Sequence, residues 1–153
     1  MHRKARVDDI RLIHREINLL AAEGKVLPRS LNDLYTHVRD LHVWIDDGLK
    51  TIVGWCALHV MWEDLAEIRS LVVAKAHRRR GIGRGLVEAC FAEARELGLS
   101  RVFALTYETE FFRRVGFRIV DKQVLPQKIW SDCLNCTKFP DCDETAMLID
   151  LDP

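Results

Sequence analysis

The sequence has 153 residues, 48% hydrophobic and 30% charged, with 23 Lys and Arg balanced by 23 Asp and Glu. That length suits one domain, residues 1–153, with a real core and no room for a second, and the apolar share argues against a disordered chain. Zero formal net charge argues against a general polyanion binder, which carries a broad basic surplus, so no nucleic-acid partner is expected.

No signal-peptide segment opens the chain. The longest apolar stretch, Ile52–Trp62, contains His59 and is too short to cross a bilayer. The reading is a soluble cytoplasmic protein with no membrane partner. Five cysteines, an odd number, with Cys56 and Cys90 inside apolar runs, do not fit a secreted disulfide framework.

The elements alternate along the chain. His2–Val7 reads as an edge strand. Ile10, Ile13, Ile17 and Leu20 recur at helical spacing behind Asp8 and Asp9 as cap candidates, and Gly24 ends that helix. After a loop at residues 25–29, Ser30 caps a helix carrying Leu31, Leu34, Tyr35 and Val38. Asp33 stands where a capping box prefers Glu or Gln. Strands Leu41–Ile45 and Thr51–Met61 flank the turn Asp46-Asp47-Gly48. Leu65–Val73 is a further strand whose end, Leu71-Val72-Val73, looks buried on both faces. A Gly-rich turn at Arg80–Gly85 leads into a helix with Leu86, Cys90, Ala94 and Leu97 that stops at Gly98. Arg101–Leu105 reads as a strand, Glu108–Val115 as a short helix ended by Gly116, Phe117–Leu125 and Ala146–Leu151 as strands, and residues 126–143 as irregular. This order predicts an α/β fold, a mixed central sheet with helices on both faces.

The chemistry concentrates after the buried strand, in Arg78-Arg79-Arg80-Gly81-Ile82-Gly83-Arg84-Gly85. Where such a turn opens a long helix, backbone N–H groups lack partners and the helix dipole adds positive charge. Glycine removes Cβ atoms that would keep a diphosphate away from the backbone. A P-loop is excluded, because no Lys-Ser/Thr pair follows the last glycine, and the dinucleotide fingerprint lacks its third glycine. The alternative is a basic helix start that stays solvated or touches nucleic acid.

Arg78-x-x-Gly81-x-Gly83 resembles the R/Q-x-x-G-x-G/A signature of the GNAT superfamily of acetyl-CoA-dependent N-acetyltransferases, and Phe111-Phe112-Arg113-Arg114-Val115-Gly116-Phe117 is similar too. The resemblance implies a GNAT-type fold with a splayed pair of parallel strands. It also implies acetyl-CoA as co-substrate, its pantetheine paired with backbone of Leu71 and Val73 and its diphosphate held over residues 79–84. Val72, Arg78, Arg79, Arg80, Gly81, Ile82, Gly83, Arg84 and Phe112 complete the expected cofactor contacts.

A narrower resemblance, over residues 27–30, 64–71 and 132–147, is to short amino-acid N-acetyltransferases related to N-acetylglutamate synthase, the first step of arginine biosynthesis. The expected acceptor is a small amino acid, foremost L-glutamate. The alternatives are another small amine, a protein N-terminus, or a non-catalytic acyl-CoA sensor. The resemblance places a substrate-carboxylate contact at Arg29, which suits the task because a guanidinium binds carboxylates as a fork. The competing reading is a surface arginine beside a helix cap. Lys25 and Thr106 are further substrate candidates, and His59 a weaker one. Homodimerisation stays open.

Direct transfer requires a neutral amine, so a base must take a proton. In the superfamily an acidic residue on the strand before the cofactor loop often serves, which points to Glu67; its alternative is an ion pair with Arg69 or Arg101. The N–H of Leu71 or Val72 is the expected oxyanion donor. Where many members carry a tyrosine as general acid, this chain has Phe112; Tyr107 is a substitute by proximity in sequence alone. Cys133, Cys136 and Cys142 supply three thiols, one short of a structural zinc set. Asp132 or Asp143 is the candidate fourth ligand, but the favoured reading is reduced thiols with no metal. Lys128 and Trp130 beside them would line the acceptor pocket.

Overall fold

The computed structural model describes residues 1–24, 26, 28–125 and 144–151. Its strands are β1 (His2–Lys4), β2 (Leu41–Ile45), β3 (Ile52–Trp62), β4 (Leu65–Val73), β5 (Arg101–Thr106), β6 (Arg118–Ile119) and β7 (Thr145–Asp150). The helices are α1 (Ile10–Ala22), α2 (Leu31–Thr36), α3 (Ile82–Glu96) and α4 (Thr109–Arg114). The strands form one seven-stranded sheet in the order β1-β2-β3-β4-β5-β7-β6. β4 and β5 are parallel, while β1–β2, β2–β3, β5–β7 and β6–β7 are antiparallel. Lying parallel to β5 requires a crossover from β4, which α3 supplies. The residues divide into two compact units, Met1–Leu58 with Arg69–Cys90, and His59–Ile68 with Phe91–Pro153.

In the first unit, strand alternation sorts side chains between two layers. Leu41, Val43 and Ile45 of β2 and Trp55 and Ala57 of β3 pack with Ile10, Ile13 and Ile17 of α1 and Leu34 of α2. The intervening residues of β3 face α3. A Cβ added to Gly54 would stand 3.3 Å from Leu86 Cδ1, and Cys56 Sγ lies 3.8 Å from Cys90 Sγ. Helices therefore cover both faces of these strands. α1 ends as expected at Gly24, whose φ of 77° suits a residue without Cβ.

Asp9 does not cap α1 with its side chain. Its carboxylate closes on the preceding segment instead, accepting the Arg6 N–H at 2.7 Å and two guanidinium bonds from Arg3 at 2.7 and 3.0 Å. Burial pushes this carboxyl up, but the Arg3 bond, the Arg6 N–H and both arginine charges outweigh it and hold the group below the usual carboxylate range. Ser30 does cap α2, its Oγ accepting from Asp33 N at 3.0 Å. Val38 lies outside that helix, in a 3-10 turn at Val38–Asp40.

In the second unit, Leu65, Phe103, Leu125, Ala146 and Leu148 form the core. α3 stops where expected: Gly98 has φ 84°, and the N–H groups of Gly98 and Leu99 donate to Arg95 O and Ala94 O, the 5→2 and 6→1 pair of a Schellman motif. The strand expected at residues 117–125 is cut to Arg118–Ile119. Asp121 accounts for this, since its carboxylate accepts Gln123 N at 2.9 Å and opens a 3-10 turn at Lys122–Val124.

The parallel ladder runs from Leu65↔Arg101 to Glu67↔Phe103, whereas β5 stays paired with β7 as far as Thr106↔Thr145. Nine-residue β4 thus keeps β5 as a hydrogen-bonded neighbour over three residues only, the splayed arrangement.

Candidate functional site

β4 departs from regular strand geometry at Ser70, which has φ 55°, a left-handed conformation unfavourable for a residue with a Cβ. Beyond it, Leu71, Val72 and Val73 are half-buried, not buried on both faces as expected. The reason is the short ladder: the strand keeps β3, with Ala74 N bonded to Val53 O at 2.8 Å, after its pairing with β5 has ended.

The turn that follows gathers backbone N–H donors. A 3-10 turn at Lys75–His77 leads to Arg78, whose Nε donates to Val73 O at 3.2 Å. Arg79 and Gly81 both have positive φ, 66° and 78°, and such alternation turns successive N–H groups toward one side. The first bond of α3 is Gly85 N to Gly81 O, 2.9 Å. The N–H groups of Ile82, Gly83 and Arg84 therefore lie in the first turn, where a helix offers them no acceptor and its dipole is positive. With exposed Arg78 and Arg79, this donor set fits a diphosphate.

α3 starts at Ile82 and not at Leu86, so Gly83 and Gly85 are helical and not part of a turn. Gly85 is required by packing: a Cβ there would lie 2.6 Å from Trp44 Cζ3. Gly85→Ala is expected to destabilise the protein by about 2 kcal/mol through overpacking. The loss should be largely recovered when Trp44→Phe removes the second ring, as read by denaturant unfolding.

Arg29, in the loop before α2, is drawn inward. Its side chain is 13% exposed and its Nε donates to Asp33 Oδ2 at 2.7 Å. Nη1 reaches Ser70 Oγ at 3.4 Å, next to Leu71. Asn18 Nδ2 fastens the loop to α1, donating to Arg29 O at 3.0 Å and His14 O at 2.8 Å. Asp33 Oδ1 also lies 3.0 Å from His37 Nδ1. Burial raises the Asp33 carboxyl, but the Arg29 bond and the charges of Arg29, His37 and Arg69 lower it further, leaving it below the ordinary value. Asp33 thus orients Arg29 instead of completing a capping box.

The other expected site residues are placed as follows. Glu67 is half-buried on β4, opposite Phe103 in the last pair of the parallel ladder. Arg101, considered as its partner, donates to Asp64 Oδ2 at 3.0 Å. Thr106 ends β5 with its Oγ1 accepting from Glu108 N at 2.8 Å. Phe112 is 4% exposed; its ring meets Phe117 edge-on at 5.0 Å, so its visible role is core packing. Arg84 pairs with Glu88 at 3.0 Å, and Arg80 with Asp46 at 3.2 Å. Lys25, Lys128, Trp130, Asp132, Asp143 and the three clustered cysteines lie outside the described residues.

Cys56 and Cys90 are buried free thiols, as expected. The Cys90 thiol and burial push Cys56 well above its ordinary value, which argues against nucleophilic use. Among the described residues, no group of three or more His, Cys, Asp or Glu is arranged to hold a metal, and no helix is long and apolar enough to cross a membrane.

Three contributors were not identified from sequence: Asp33 in its orienting role, Ser70 and Asp46. Arg29 and Asp33 have the i,i+4 spacing of a helical ion pair, a signal that was available. Nothing local marks Ser70, and the local signal at Asp46 marks only the hairpin turn.

Residues 11–117 match the profile of the acetyltransferase (GNAT) family. An uncharacterized N-acetyltransferase of Chlorobaculum tepidum is 42% identical over 146 residues, 95% of this chain and 93% of that protein. An amino-acid acetyltransferase of Mycobacterium tuberculosis is 37% identical over 85% of this chain and 75% of its own length. Among solved structures, the N-acetylglutamate synthase of Neisseria gonorrhoeae, complexed with coenzyme A and N-acetyl-glutamate, superposes with a TM-score of 0.89 at 28% identity, covering 100% of this chain and 35% of that one.

Proposed function

We infer, from a chain that belongs to the acetyltransferase (GNAT) family, that it transfers the acetyl group of acetyl-CoA to the α-amino group of an amino acid, and specifically of L-glutamate. Such a reaction would place it at the first step of arginine biosynthesis. One observation carries the acceptor assignment: Arg29 is held by its Nε on Asp33 and touches Ser70 beside Leu71. Among the described residues that leaves Nη2 and the second N–H of Nη1 for a carboxylate, a use for which the planar fork is suited. The relatives named above supply the precedent, one called an amino-acid acetyltransferase and one complexed with N-acetyl-glutamate. Lys25 and Thr106 are proposed as further acceptor contacts.

On this reading the amides of Ile82, Gly83 and Arg84, with Arg78 and Arg79, hold the diphosphate of acetyl-CoA. The backbone of Leu71 and Val73 pairs with the pantetheine arm. The N–H of Leu71 or Val72 donates to the thioester oxygen as it gains negative charge. Glu67 takes the proton that the attacking amine gives up. The N–C bond forms as the C–S bond breaks, and the sulfur leaves as thiolate. Phe112 has no proton to give it, which is tolerable because thiols are moderately acidic.

The test is a thiol-release assay with acetyl-CoA against twenty amino acids, with glutamate expected to turn over fastest. Turnover of a different amine with none on glutamate would remove the assignment. Coenzyme binding with no thiol release on any acceptor would make the chain a sensor.

A further inference from the structure

Arg80 differs from its neighbours in the turn before α3. Its Nη1 donates to Asp46 Oδ2 at 3.2 Å and lies 2.7 Å from His77 Nδ1. A guanidinium only donates, so Nδ1 is the accepting atom of that contact, and the same Nδ1 lies 3.6 Å from Asp46 Oδ2. Asp46 lies 34 residues earlier in the sequence, just past the end of β2, with a side chain 11% exposed. Its other oxygen, Oδ1, accepts the N–H groups of Gly48 and Leu49 at 2.9 and 2.8 Å. One carboxylate closes the β2–β3 hairpin with one oxygen and fastens the turn before α3 with the other.

The geometry points to Asp46 as a positioning residue for acetyl-CoA, one that holds the diphosphate-binding turn in shape through Arg80 and His77 without touching the ligand. The inference rests on the reading of that turn given above. Arg79 has a left-handed backbone, which is unfavourable for a side-chain-bearing residue and persists only where the surroundings over-determine it. Two anchors flank that residue: Arg78 on Val73 O, and Arg80 on Asp46. Without the second, the backbone can relax and its amides lose their common direction. Asp46 is suited to the task because the Leu49 N–H, the Arg80 bond and the Gly48 N–H keep it ionised well below neutral pH, against the opposing effect of burial.

Tethering and plain electrostatics predict opposite signs. A carboxylate near a polyanion site repels the ligand, so removing its charge and releasing Arg80 should tighten binding. If the carboxylate preorganises the site, removing its charge should weaken binding. Asp46→Asn separates the two, because the amide oxygen can still accept from Gly48 and Leu49 and keep the hairpin closed. Calorimetric titration with CoA is expected to show binding weakened by about tenfold, with KM for acetyl-CoA raised equally while kcat and the amino-acid KM hold. Arg80→Ala should match it, and the double variant should lose no more than either single change. Arg80 is more than half exposed, so that variant reports on the tether even if Asp46→Asn unfolds. Equal or tighter CoA binding by Asp46→Asn, or additive losses in the double variant, would overturn the tether alone. If the unmodified protein binds no CoA, the reading of the turn itself fails.

Discussion

Replacing Glu67 with glutamine is expected to lower kcat by roughly a hundredfold to a thousandfold, with CoA binding unchanged. An α-amino group is mostly ammonium at neutral pH, and only its neutral form has the lone pair that attacks the thioester. Glutamine keeps the size and polarity of Glu67 but has no basic oxygen to take the proton. Residual turnover in the variant should therefore climb with pH, by about tenfold per unit until the amine itself titrates, whereas the unmodified enzyme should be less steep. Glu67 occupies the last pair of the β4–β5 ladder, and the substitution leaves backbone pairing intact. Parent-like kcat in the variant would remove Glu67 from the chemistry. A parallel loss of CoA affinity and melting temperature would make its role structural.

The junction of strand, Gly-rich turn and long helix was legible in the sequence because its signals are local. A buried strand, a positive turn and a long amphipathic helix follow one another without interruption, and backbone physics links such a junction to anions. The Asp46-Asp47-Gly48 turn and the Gly98 stop were legible for the same reason: each is specified by residues adjacent to it. What sequence reading missed depends on contacts between distant segments. Gly83 and Gly85 look like helix breakers, yet α3 begins before them because Gly85 answers to the ring of Trp44 and not to a turn. Asp46 reads as a hairpin residue, and only the folded chain brings its second oxygen to Arg80. Leu71-Val72-Val73 reads as a buried strand because its residues are apolar, but the extent of the β5 ladder decides its burial. Asp121 shows the converse, a single local residue whose turn chemistry overrode a plausible strand pattern.

Arg29→Lys is expected to raise KM for glutamate by about thirty- to a hundredfold and to leave KM for acetyl-CoA in place. Lysine keeps the charge and loses the planar fork, so the change isolates geometry from net electrostatics. Asp33→Asn should act in the same direction by about fivefold, since an amide oxygen still accepts from Nε but no longer does so as a charged partner. The pH profile separates this pair from other titrating groups. The folded Asp33 carboxyl is depressed, so its pairing energy is present above the unfolded value of about 3.9 and is lost only as pH falls through the lower folded value. Across the neutral range Arg29 stays oriented, and any pH dependence of the glutamate KM there must arise elsewhere. Comparing glutamate with glutamine then tells which carboxylate Arg29 takes. If it binds the side-chain carboxylate, Arg29→Lys should erase the preference for glutamate. If it binds the α-carboxylate, both acceptors should weaken together and the preference should survive. Unchanged KM for both would make Arg29 a structural partner of the α2 cap, and the acceptor assignment would lose the observation it stands on.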